Sequence, residues 1–249
     1  MVFRTLLLAI VCVSFAGAQT RRSFTNAPTR APLPPVDLAH DSHVYQLLSN
    51  SAVHVYRIDL DPGAETAMDR HDRDFLVISL GNNNFEFAGP ANSIPMTMTD
   101  DEVEVMKGHW PHRVVNKSST PLHLVEVETS REILPEKATC GLAAQSCTGA
   151  HFAKDDNNNY VESTLFMTPS MRLGKIEIQA AAGMPQHTHD ASSLLIALDD
   201  QQITEAFAAG SETQLNLRAG QPEWIEGKIP HRILNNGSQP AQFLVLEWR

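Results

Sequence analysis

Two histidines one residue apart, His187 and His189, and a third at His231 are the residues whose type and spacing point most directly to chemistry. In an extended chain, residues i and i+2 face the same way, about 6.6–6.8 Å apart. Both imidazoles can then lean toward one ion. Neutral imidazole suits Fe, Zn, Cu and Ni. His231 opens the run HRILN, 42 positions after His189, and supplies a third donor beside another extended run. Three imidazoles leave coordination positions open, which is what an ion needs to take substrate or dioxygen. The bland alternative is three buried histidines without a metal.

The histidines sit inside an internal repeat. Residues 106–128 (MKGHWPHRVVNKSSTPLHLVEVE) match residues 225–247 (IEGKIPHRILNNGSQPAQFLVLE) at an offset of 119, with eight of 23 positions identical. These include Gly108/Gly227, Pro111/Pro230, His112/His231, Asn116/Asn235 and Glu128/Glu247. Upstream, residues 56–72 match 174–190 at an offset of 118, which aligns Asp69 with His187 and His71 with His189. The first repeat therefore carries its own set, Asp69, His71 and His112. Two histidines and a carboxylate can form a facial triad for non-haem iron. The same substitutions are also what decay of a duplicated site would leave.

Short strands must position these residues. In the first repeat, 53–60, 75–80, 85–87, 103–106, 113–115 and 122–127 are β-rich runs, broken by turn signals at 82–84 and 117–120. The second repeat has 173–179, 194–198, 203–207, 215–217, 233–234 and 243–248. No segment shows a long 3.6-residue period, so the pattern reads as all-β, a sandwich or barrel in each repeat. Asn116 and Asn235 read as turn or strand-end residues, whose amides bond nearby backbone.

With these motifs in place, the chain resembles the cupin superfamily, specifically a bicupin. Gly220, His231 and Asn235 keep the family's second motif, with Glu226 and Lys228 in place of its usual Pro and Gly. AAAGMPQHTHDASS supplies both histidines of the first motif, but Ala181 stands where Gly is usual and Ser193 where a Glu ligand is expected. In the first repeat Phe75 takes that Glu position. The resemblance implies two tandem jelly-roll β-barrels, each with a metal site in its mouth. It also implies that His187, His189 and His231 are ligands for a divalent transition metal, with Fe favoured and Mn, Ni, Cu or Zn as alternatives. Glu223 and Glu226 lie near the second motif and are candidate catalytic bases.

The remaining composition sets the context. The 249 residues carry 19 Lys and Arg against 29 Asp and Glu, a formal charge of -10. With no basic run, a nucleic-acid backbone is excluded as the expected partner. Residues 1–18 have the form of a signal peptide, with Arg4, an apolar run from Thr5 to Phe15 and a small-residue cleavage site after Ala18. That run is shorter than the roughly 20 residues a membrane span needs. The expectation is a secreted or periplasmic protein without a membrane anchor once the leader is gone. Its parts are a Pro-rich arm at 19–42, a first barrel at 43–130, a linker at 131–159 and a second barrel at 160–249. In an oxidising compartment Cys140 and Cys147 of the linker are expected to pair, two free thiols being the alternative. The expected function is a dioxygenase-like metalloenzyme acting on a small molecule at the three-His site. A non-oxidative lyase or isomerase and a non-catalytic binding or storage protein are the alternatives. Pairing of copies into a homo-oligomer is open.

Overall fold

A computed structural model describes residues 41–142, 144–147, 153–157 and 159–249. The segment expected to be a leader, and nearly all of the arm, lie outside these residues. The described residues fall within one compact unit, Pro34–Arg249. The first repeat forms β1 (Val44–Ser49), β2 (Val53–Leu60), β3 (Phe75–Ser79), β4 (Asn83–Ala88), β5 (Ser93–Met98), β6 (Val103–Met106), β7 (Arg113–Asn116) and β8 (Leu122–Thr129). A short 3-10 turn, Pro135–Lys137, and β9 (Ala153–Lys154) follow. The second repeat forms β10 (Tyr160–Met167), β11 (Met171–Ile178), β12 (Ser193–Ala197), β13 (Gln201–Phe207), β14 (Glu212–Leu217), β15 (Pro222–Ile225), β16 (His231–Asn235) and β17 (Ala241–Trp248). No α-helix occurs among the described residues.

The strands build the same two-sheet roll twice. The first has a larger sheet in the order β1-β2-β8-β3-β6 and a smaller one in the order β5-β4-β7. The second repeats this as β15-β12-β17-β11-β10-β9 and β14-β13-β16. All pairings are antiparallel, so each roll is a jelly-roll barrel.

Burial explains why the central strands read as unbroken apolar runs. Every residue of β3 (FLVIS) and β12 (SLLIA) is buried. Phe75 and Val77 fill the first barrel, Leu195 and Ala197 the second. The alternate residues Leu76, Ile78, Leu194 and Ile196 point the other way into a third core shared by both barrels. Polar contacts across this seam repeat with the sequence. Arg57 donates to the Ala219 carbonyl at 2.7 Å, and Lys175, its repeat counterpart, donates to Asp101 at 3.0 Å.

Besides β9, four strands were not legible in the sequence, for local reasons. β1 and β10 each contain a bulge, between Gln46 and Leu48 and between Thr164 and Phe166, which breaks the two-residue alternation. β5 carries Pro95 and β15 begins at Pro222. Both are edge strands, where a missing N–H leaves no gap in the ladder. The segment expected to be linker holds the 3-10 turn and β9, and Cys140 is bridged to Cys147.

Candidate metal centre

The second barrel gathers His187, His189 and His231. Backbone pairing between His187 and His231 fixes two of them opposite one another. Pro230 directly precedes His231 and presets the approach of that strand. Behind the loop, a Cβ at Gly227 would lie 2.4 Å from the Ala191 carbonyl carbon, and one at Gly108 would lie 2.1 Å from the Arg73 oxygen. Only glycine lets these mouth loops close, which accounts for its identity in both repeats. Asn235 donates to the carbonyls of Ile178, Gln179 and Gln239, and Asn116 does the same to Leu60, Asp61 and Thr120. The two asparagines thus pin turns and do not face a ligand.

Each imidazole in the second barrel is held by its Nδ1. His187 bonds the Pro185 carbonyl at 3.0 Å, His189 the Glu247 carboxylate at 2.7 Å and His231 the Glu205 carboxylate at 2.7 Å. This leaves the Nε2 atoms facing inward, with those of His187 and His189 3.1 Å apart. One ligand nitrogen from each of the three lies within 4.8 Å of the others. His231 is fully buried, and its Nε2 has no hydrogen-bond partner. A buried, orphaned nitrogen is costly unless something binds it. The 3.1 Å spacing suits neighbouring ligands in a shell with metal–nitrogen bonds of about 2.0–2.1 Å. The donor set therefore fits a transition-metal ion.

The electrostatics keep these donors available. Burial lowers the pKa of His187, aided by His231 and His189, against the Pro185 carbonyl, which raises it. Burial pushes Glu247 up, but its bonds to His189 and Arg172 outweigh that and hold it near about 2. Arg172, itself buried, donates to both Glu247 and Glu162. Carboxylates behind ligating histidines orient the ring and raise its basicity.

The fourth position departs from the family pattern. Ser193 is fully buried and its hydroxyl lacks a partner. The two candidate bases separate. Glu223 pairs across strands with Leu195, so it faces the barrel interior, and burial followed by the charge of Glu205 raises its pKa. Glu226 is exposed and accepts bonds from Ser192 and Trp224, placing it on the outer rim.

The first barrel assembles a different set from the one the repeat implied. Glu126, not Asp69, stands with His71 and His112 so that one ligand atom from each lies within 4.8 Å of the others. Asp69 exchanges two backbone bonds with His112, and its carboxylate accepts from the Arg70 N–H. Its side chain is half-exposed and lines the same cavity as His71, His112 and Glu126. Glu126 lies inside the repeated block but is not itself repeated, its counterpart at the 119 offset being Val245. Where the second barrel has Ser193, Phe75 stacks on His71 with centroids 3.9 Å apart. Strand register likewise matches Phe87 to Glu205, and Phe87 meets His112 edge-on at 5.1 Å. Burial opposes protonation of His71, but Glu126 and Glu128 outweigh it and raise its pKa to about 10.

No protein-family model and no curated protein matches this chain. Solved structures do. AerE from Microcystis aeruginosa is 14% identical with a TM-score of 0.62, covering 88% of this chain and 98% of its own. The cupin 2 conserved barrel domain protein from Leptotrichia buccalis is 11% identical with a TM-score of 0.50, covering 88% and 100%. Oxalate decarboxylase from Bacillus subtilis, a protein with Mn(II) centres, is 10% identical with a TM-score of 0.54, covering 83% and 75%. The chain has the two-barrel cupin fold. The donor set of the second barrel is what fits a divalent metal.

Proposed function

We propose that this bicupin is a metal-dependent, dioxygenase-like enzyme acting on a small molecule at His187, His189 and His231. One observation carries the reading: three imidazoles tied at Nδ1 converge through Nε2, and the innermost Nε2 has no other partner. A divalent ion bound there, Fe favoured over Mn, Ni, Cu or Zn, would supply Lewis-acid polarisation and, where it is a redox metal such as Fe, electron transfer to dioxygen.

The chain's own residues set the rest. Glu205 and Glu247 hold two of the rings in one tautomer. Ser193, in place of a carboxylate, leaves a ligand position open for substrate. Glu223 faces the barrel interior, where burial and the charge of Glu205 raise its pKa, and is the interior carboxyl placed for proton transfer. We further assign the protein to a secreted or periplasmic setting on its leader-like residues 1–18.

The test is oxygen uptake with a flavonol and diketone panel, measured alongside metal content. The reading expects uptake that disappears in His187→Ala and His231→Ala together with the ion of the second barrel. Turnover that proceeds without oxygen would overturn the oxygenase. It would favour a non-oxidative lyase or isomerase, a reading that the placement of Glu223 inside the barrel also supports. A metal-free second barrel would remove both.

A further inference from the structure

We propose that the first barrel holds a second divalent metal ion through Nε2 of His71, Nε2 of His112 and the Glu126 carboxylate. The site keeps the counterparts of His189 and His231 and adds a carboxylate, Glu126, that the second barrel lacks at Val245.

Four observations converge on it. Nδ1 of each imidazole is already committed, His71 to Glu128 and His112 to the Trp110 carbonyl at 3.1 Å, which turns each Nε2 toward the shared site, that of His71 against Glu126. His71 Nε2 lies 3.2 Å from Glu126 Oε2, close to the 3.1 Å between Nε2 of His187 and Nε2 of His189. Glu126 is only 4% exposed, and its other oxygen, Oε1, is buried without a partner. An orphaned carboxylate oxygen in such a place is strongly unfavourable unless a cation meets it. Finally, His71, His112 and Glu126 line a cavity of about 20 Å³, room for roughly one water-sized occupant such as an ion.

The two barrels have exchanged the placement of charge. The second barrel has Glu205 behind a ligand and apolar Val245 on the last strand. The first has Phe87 and Glu126 at the matching positions. A two-histidine, one-carboxylate set is suited to a hard or borderline divalent ion such as Mn or Fe(II). It leaves one less positive charge than three neutral imidazoles do. The two ions should therefore differ in chelator resistance.

The test uses the full chain, stripped with EDTA and reloaded anaerobically with Mn(II), with metal counted by mass spectrometry and Mn(II) resonance. The wild type is expected to take two equivalents, Glu126→Gln one, His187→Ala one, and the double variant none. Asp69→Ala is expected to keep both. As a check independent of any change in the first barrel, the His187→Ala/His231→Ala variant should still bind one Mn(II) and melt at higher temperature with it. A single equivalent in the wild type, two retained by Glu126→Gln, or no binding by that last variant would overturn the site. His71, Glu126 and Glu128 would then be a metal-free ion pair. Loss of metal in Asp69→Ala but not in Glu126→Gln would overturn the ligand set. None of these readouts depends on catalysis by the second barrel.

Discussion

Glu247 accepts a hydrogen bond from Nδ1 of His189 at 2.7 Å, and the same carboxylate accepts from Arg172 at 2.7 Å. The first barrel keeps the pairing, with Glu128 on His71. A carboxylate retained behind one histidine of each barrel, while the ligands around it diverge, marks it as part of the apparatus that aims the ring.

Glu247→Gln should therefore weaken the ion of the second barrel without removing a ligand. Glutamine fills the same space but brings no charge to raise the basicity of His189. A loss of metal affinity of about 10–100-fold is expected, in line with other partners of ligating histidines. Competition against a coloured chelator measures it. Affinity within twofold of wild type would show that Glu247 serves Arg172 alone.

The seam between the barrels supplies a second prediction. Gly220 has φ +80°, and a Cβ there would lie 2.7 Å from Leu80 and 2.9 Å from Val125, both in the first barrel. Gly220→Ala meets both a disfavoured backbone angle and an overpacked core. The expected cost is about 1–3 kcal/mol, read from the urea midpoint. Metal content of both barrels should be unchanged, since the substitution lies away from either mouth.

Much of this architecture was legible because β strands with one apolar face alternate and duplicated strands do so twice. His187, His189 and His231 were found through that duplication. Glu126 was not, because it sits in LVEVE of β8, where it reads as an outward polar residue of an alternating strand. Only the fold shows that this strand is central in its sheet, between β2 and β3, and that Glu126 is buried against His71. Glu247 and Glu128 could have been found, since their identity at the 119 offset is a polar match in an apolar block. Glu205 and Arg172 have no such signal. The counterpart of Glu205 is Phe87 and that of Arg172 is His54, so repetition hides them.

Acid should loosen the seam through Asp59. Burial pushes its carboxyl up, but the hydrogen bond to His123 and the charge of Arg57 outweigh that and hold it below its ordinary 3.8. A lowered folded-state value means that Asp59 stabilises the protein above about 3.8 and that this contribution is lost as pH falls further. Asp59 also clamps Arg57, which reaches across to the Ala219 carbonyl. Asp59 is partly exposed, so the contribution should not exceed about 1 kcal/mol. Urea midpoints taken at neutral pH and near pH 3 should converge between wild type and Asp59→Asn at the acid end only. Equal differences at both values would remove Asp59 as the titrating group.

Reduction should cost local stability without separating the barrels. Cys140 and Cys147 are seven positions apart and close a small ring. Cys140 is 3% exposed and pairs with Met167 of β10. A ring of this size restricts the unfolded chain by about 2 kcal/mol in the loop-entropy account. The sheets themselves are joined through the shared apolar core, which the bridge does not touch. Cys140→Ser/Cys147→Ser should therefore melt a few degrees lower in a single cooperative transition. It should also show faster amide exchange at Thr139, whose N–H donates to the Met167 carbonyl, and at Met167, whose N–H donates to the Cys140 carbonyl. Two separated transitions would mean that the bridge, and not the apolar seam, couples the barrels.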